Sequence, residues 1–262
     1  MVSCGQFVAA TGHAVLAAGH SVSTGGHVVL TTGHQVLPVG QWVSTTGQVV
    51  FSGGHWVSIC GQSESMTGHS VSRAGHWVSA TGHSVSSVGH VVFTTGHFVF
   101  AGGHCVFTAG HFVAAGGQKV SSGGQWVATT GQVVFPAGHR VSTGGHFVAA
   151  GGQTVSLGGH WVAEGGHTVA AGGHCVSAAG HWVSKAGQVV LPVGHFVAVG
   201  GQAVCPSGHF VYSSGQAVSL AGHFVSSAGH SVSTPVGHIV LVPGQAVGIS
   251  GQFDSTGGQA VA

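Results

Sequence analysis

The chain has 262 residues, of which 50 are glycine and only seven are charged, and its formal net charge is +1 with neutral histidines. So little charge removes the electrostatic surface that a nucleic-acid-binding protein needs. Because glycine returns every seven residues, no stretch of the sequence approaches the 18 apolar residues of a transmembrane helix.

Residues 1–4 form a short lead-in, with no basic segment followed by an apolar run, so no secretory signal is visible and the location stays unknown. A seven-residue repeat begins at Gly5. It reads Gly, His or Gln, any residue, Val, and three variable residues, and it gives 37 copies, the last cut short at Ala262. Repetition at a fixed short period is typical of stacked-repeat proteins. We therefore predict a single uncapped repeat domain over residues 5–262.

The positions of the repeat differ sharply in how much they vary. Position 1 is always Gly, and position 2 is His in 23 copies and Gln in 14. Position 4 is Val in 35 copies, the exceptions being Glu64 and Asp254. One copy, residues 229–236, carries an extra residue together with Pro235, and we expect it to bulge at a corner.

The composition of the repeat predicts an all-β fold. A glycine in every unit would cost a helix about 1 kcal/mol per copy relative to alanine, and the many Val, Ser and Thr residues are also poor helix formers. Collagen needs Gly at every third residue. Positions 2 to 5 instead suit a short strand and positions 6, 7 and 1 a corner, which predicts a β-solenoid. Aromatic residues at intervals of 14 favour coils of two heptads, and coils of three heptads, 21 residues, are the alternative.

Alternation along a strand places positions 2 and 4 on one face and positions 3 and 5 on the other. Positions 3 and 5 vary too much in volume to fill a regular core, so we predict that they face outward. The inverse arrangement is the structural alternative. The predicted inner ladder comprises His13, His20, His27, His34, His55, His76, His90, His97, His104, His111, Gln118, Gln125, Gln132, His139, His146, Val106, Val113, Val120 and Val127. The predicted outer aromatic row comprises Trp42, Trp56, Trp77, Phe98, Phe112, Trp126, Phe147, Trp161, Trp182, Phe196, Phe210 and Phe224.

The exchange of His with Gln indicates a structural role for position 2. Neutral imidazole and carboxamide can each donate and accept a hydrogen bond, so both can join one stack. Carboxamide is a poor ligand for Zn or Ni, so we predict neither a metal site nor a cofactor. With three carboxylates in the chain and no irregular mixture of functional groups, the sequence does not predict an enzyme.

The pair His111 and Val113, two residues apart, resembles the heptad β-solenoid antifreeze proteins of ryegrass type, in which a buried Asn and a Val recur at that spacing. The resemblance implies a β-solenoid and, by analogy, ice binding. In this chain Gly directly precedes His or Gln, and an outward Thr-x-Thr array is missing.

These observations favour a structural protein that associates with itself into fibres or a surface layer. Its expected partner is a second copy, bound through open solenoid edges or the aromatic face. Ice binding is the first alternative, and a His-rich metal-binding protein is the second.

Overall fold

The computed structural model describes residues 5–242, 244–248, 252–256 and 259–261. All regular structure in these residues is β-strand, and the strands pair in parallel, coil upon coil, as a β-solenoid. The chain comprises two compact units, a first unit of residues 1–132 and a second of residues 133–262.

The strands are β1 (Gly5–Ala9), β2 (His13–Ser23), β3 (His27–Ser58), β4 (Gln62–Ser65), β5 (His69–Ser72), β6 (His76–Phe107), β7 (His111–Ala114), β8 (Gln118–Ser121), β9 (Gln125–Ala128), β10 (Gln132–Phe135), β11 (His139–Ser142), β12 (His146–Ala149), β13 (Gln153–Ser156), β14 (His160–Ala163), β15 (His167–Ala170), β16 (His174–Ser177), β17 (His181–Ser184), β18 (Gln188–Val190), β19 (Val193–Ala198), β20 (Gln202–Cys205), β21 (Ser207–Tyr212), β22 (Gln216–Ser226), β23 (His230–Leu241), β24 (Gln245–Gly248), β25 (Gln252–Ser255) and β26 (Gln259–Val261). The longer strands, such as β3 and β6, continue through several corners, whereas most others cover positions 2 to 5 of one heptad.

Each coil contains two heptads, as predicted. In the first unit Val99 pairs with Val113, and in the second Val148 pairs with Val162, so each residue meets the one 14 positions further on. The two heptads of a coil form two opposite walls. The bulge expected near Pro235 is also confirmed, because the register between β22 and β23 shifts by one residue there.

Glycine at position 1 is required by the corner geometry. Gly152 has a φ of +107°, a conformation that side chains disfavour, and a Cβ added to it would overlap the carbonyl oxygen of Gly138 in the coil below. That carbonyl accepts a hydrogen bond of 3.0 Å from the backbone N–H of Gln153. The close approach of successive corners therefore explains why no other residue occupies position 1.

The predicted direction of the two strand faces is wrong. In β7 to β9 and β11 to β17, positions 2 and 4 are exposed and positions 3 and 5 are buried. The aromatic residues predicted to lie outside are all in the core, namely Trp42, Trp56, Trp77, Phe98, Phe112, Trp126, Phe147, Trp161, Trp182, Phe196, Phe210 and Phe224. The residues predicted to form the inner ladder are all exposed, namely His13, His20, His27, His34, His55, His76, His90, His97, His104, His111, Gln118, Gln125, Gln132, His139, His146, Val106, Val113, Val120 and Val127.

The core tolerates variable residues because the two walls compensate for each other. In the second unit, β12 and β14 contribute Phe147 and Trp161 from one wall, where β13 and β15 of the other wall contribute Thr154 and Thr168. The indole N–H of Trp161 donates a 3.0 Å hydrogen bond across the core to the Ser156 hydroxyl. At these levels the large residues of one wall thus compensate for the small residues of the other, although the volumes look irregular along the sequence.

Candidate functional site: the His/Gln–Val faces

The regular surface of this protein is the outside of each wall, which we call a His/Gln–Val face. It consists of the position 2 and position 4 side chains of successive coils, and each unit has two such faces. Most of the valines are about half exposed, for example Val113 at 47 % and Val162 at 50 %. Because the register is 14 residues, and 15 where the extra residue near Pro235 intervenes, like residues form parallel rows along the stack of coils.

Histidines that are neighbours in these rows stack ring on ring. In the first unit His97 and His111 have ring centroids 4.7 Å apart and ring planes 3° apart. In the second unit His181 and His195 have the same separation, with planes 2° apart. The long uninterrupted runs are His55, His69, His83, His97 and His111 in the first unit, and His167, His181, His195, His209, His223 and His238 in the second.

Glutamines in the rows form amide ladders. Gln48 Nε2 donates to Gln62 Oε1 at 3.1 Å in the first unit, and Gln188 Nε2 donates to Gln202 Oε1 at 3.1 Å in the second. Hydrogen bonds therefore join these neighbouring glutamines on the surface, whereas the predicted stack was internal and included the histidines. Neighbouring histidines instead form ring stacks, with their imidazoles parallel and face to face.

A groove runs between the His/Gln row and the Val row of a face. In the first unit it is bounded by His27, Gln41 and His55 on one side and by Val29 and Val57 on the other. A groove of the same kind lies in the second unit, between the Gln202–Gln216–His230 row and a row of valines. These two faces therefore present two ridges with a groove between them.

The surface is almost without charge. Two of the four cationic side chains, Lys119 and Arg140, are buried in the core. Arg73, Glu164 and Lys185 are exposed at corners, where position 6 faces water. Glu64 replaces a valine of a face and is also exposed, which explains why a carboxylate is accepted at that position.

Buried thiols provide no reactive site. Burial raises the pKa of Cys105 to about 12 and the pKa values of Cys175 and Cys205 to about 11, so these thiols stay protonated at neutral pH. Cys60 is exposed and is also a free thiol. The three buried thiols therefore suggest no nucleophilic chemistry.

Comparison with protein-family models, curated proteins and solved structures gives no match. Within the described ranges, no helix has the length and hydrophobicity to span a membrane.

Proposed function

We propose that this is a structural protein that associates with itself by packing its His/Gln–Val faces against those of a second copy. The observation that carries the proposal is the row of half-exposed valines on every face, about 47 % exposed at Val113 and Val169. Association would remove these methyl groups from water, which contributes about 25 cal/mol for each square ångström of apolar surface buried.

The spacing of the rows favours a second copy as the occupant. Stacked histidines repeat every 4.7 to 4.9 Å over His69, His83, His97 and His111, which is the spacing of neighbouring strands. A partner can match each successive coil only if it has the same period. A second copy has that period, and we expect a valine ridge on its face to enter the groove that lies between the His/Gln and Val rows.

Low charge supports the same proposal. Exposed apolar surface of more than a few hundred square ångströms is unusual on a monomer and marks interaction surfaces. Net charge keeps proteins apart in solution, and this chain has a formal net charge of +1. The aromatic residues are buried and cannot contact a second copy as expected from the sequence. The valine rows are therefore the apolar surface that we propose for self-association.

Four lysines placed on the faces are expected to oppose assembly. The face variant carries Val99→Lys, Val106→Lys, Val169→Lys and Val176→Lys, one on each face of each unit. Packing would have to bury or displace these ammonium groups, so we expect assembly to need at least about ten times more protein, equivalent to about 1.4 kcal/mol. Particle size against concentration, from sedimentation and electron microscopy, measures this.

The matched corner variant carries the same four charges beside the faces, as Ala101→Lys, Thr108→Lys, Ala171→Lys and Ala178→Lys. Each site lies two residues after a substituted valine, at position 6, where Lys185 is accepted naturally. This variant is expected to assemble like the wild type. A wild type that stays monomeric at all concentrations, or a face variant that assembles as readily as the wild type, would refute the proposal.

Ice binding is the second candidate, and the regularity of the faces favours it. A regular outer surface suits ice binding, and the structure places the nearly invariant His/Gln and Val positions outside, in place of the variable positions 3 and 5. Thermal hysteresis on single ice crystals separates the two candidates. Self-association predicts little hysteresis, and faceted crystals with a large freezing gap would favour ice binding.

A further inference from the structure

We infer that neighbouring histidines of the outer rows form two-ligand sites for a divalent metal ion of borderline softness, such as Zn²⁺ or Ni²⁺. The inference is independent of self-association, because each site uses two histidines of one chain. In the linear sequence, glutamines among the histidines of position 2 disfavour metal binding. The 14-residue coil places every second heptad side by side, so histidines separated in the repeat by another histidine or a glutamine become neighbours.

Exposure makes the ring nitrogens available. His195 and His209 lie on the outer surface, with ring centroids 4.8 Å apart and planes 4° apart. Imidazole nitrogen is a preferred ligand of Zn²⁺, Ni²⁺ and Cu²⁺, whereas carboxamide is not. Rows of stacked histidine can therefore bind these ions, and glutamine ladders cannot.

The spacing of a stacked pair nearly fits one ion. Two metal–nitrogen bonds of about 2.1 Å meeting at a tetrahedral angle place the nitrogens about 3.4 Å apart. The ring centroids of His83 and His97 are 4.8 Å apart, so each coordinating nitrogen has to lie about 0.7 Å closer to its partner than the ring centroids do. The lone pair of each imidazole nitrogen lies in the plane of its ring, so both exposed side chains also have to rotate out of the stack to direct a nitrogen at the ion.

Each site has two protein ligands. Within the described ranges, no group of three or more His, Cys, Asp or Glu side chains is placed to hold an ion. Water would complete the coordination, so the affinity of each site is modest. Binding requires neutral imidazole and is therefore expected to weaken as the pH falls.

Pairing predicts the number of ions bound. An imidazole that rotates toward one neighbouring histidine moves away from the other, so each ring contributes to one site. A run of six histidines therefore gives three sites. The remaining stacked groups are His13 with His27, His20 with His34, His76 with His90 and His104, and His146 with His160 and His174. The first unit then has five pairs and the second has four, which predicts about nine ions per chain.

Titration with ZnCl₂ tests the inference, with the full chain in a non-chelating buffer at pH 7.5 and with bound zinc measured by calorimetry and elemental analysis. The spaced variant carries His69→Gln, His97→Gln, His181→Gln and His209→Gln. It isolates every remaining histidine in the two long runs except one pair, so about five ions are expected per chain. Gln occupies position 2 naturally in 14 copies, so the fold should be retained, and circular dichroism checks it.

The matched variant removes the same number of histidines from the ends of the runs, as His55→Gln, His111→Gln, His167→Gln and His238→Gln. Adjacent pairs survive in both runs, and about seven ions are expected. Equal losses in the two variants would show that binding follows the number of histidines rather than their stacking, and would overturn the inference. Absence of saturable zinc binding by the wild type would also overturn it.

Discussion

Replacing Arg140 by leucine is expected to raise the free energy of unfolding by about 3 kcal/mol. The side chain is 2 % exposed, and within the described ranges its Nε, Nη1 and Nη2 atoms have no hydrogen-bond partner. Burial lowers its pKa from 12.5 to about 9, and such a shift corresponds to a cost of about 5 kcal/mol at neutral pH. The guanidinium lies 3.3 Å from the centroid of the Phe147 ring, which offsets about 2 kcal/mol of that cost.

The pH dependence of the Arg140→Leu effect has a definite sign. Below about pH 9 the buried guanidinium is charged in both the folded and unfolded chain, so the destabilisation of the wild type is complete. Above that pH the folded protein can release the proton while the unfolded chain retains it, so the advantage of the leucine variant is expected to shrink.

Urea denaturation of the wild type and the Arg140→Leu variant at pH 7 and at pH 10 measures both effects. Arg73→Leu is the control, since Arg73 is exposed at a corner and its replacement should change stability by less than about 0.5 kcal/mol. An Arg140→Leu variant less stable than the wild type would show that the guanidinium is held by interactions worth more than its desolvation.

Replacing Gly152 by alanine is expected to lower the free energy of unfolding by about 3 kcal/mol or more. The new Cβ would require a φ of +107° and would overlap the Gly138 carbonyl oxygen of the adjacent corner. Relief of that overlap has to separate two coils or break the hydrogen bond from Gln153 N–H to Gly138.

Gly151→Ala is the matched control for the corner. Gly151 directly precedes Gly152, but nothing lies within 4 Å of a Cβ added to it. Thermal unfolding followed by circular dichroism should therefore show a large loss for Gly152→Ala and little change for Gly151→Ala. Equal effects would mean that the glycine at position 1 is not required by the approach of successive coils.

The sequence was sufficient to predict the solenoid, its 14-residue coil and the irregularity near Pro235, because each follows from the spacing of residues along the chain. The direction of the strand faces could not be obtained in this way. Trp161 and Thr168 belong to successive heptads, and their volumes compensate only once the two walls are opposite each other. In the sequence alone, the variable side-chain volumes at positions 3 and 5 therefore resemble those of an exposed surface.

The histidine rows were missed for a related reason. His97 and His111 stack on one wall, while His104, which lies between them in sequence, belongs to the other wall. Reading position 2 in every second heptad separates the residues of the two walls and reveals the long runs of histidine. Their exposure follows only from the direction of the faces.

The inside and outside of the walls are tested most directly by tryptophan fluorescence. All six indoles, Trp42, Trp56, Trp77, Trp126, Trp161 and Trp182, are at most 5 % exposed. At a protein concentration low enough to keep the chain monomeric, we expect blue-shifted emission that acrylamide quenches only slightly. Denaturation in guanidinium should shift the emission to the red and make it readily quenched. Red-shifted, readily quenched emission from the folded monomer would contradict the structure, because it would place the aromatic residues in water and the His/Gln and Val rows in the core.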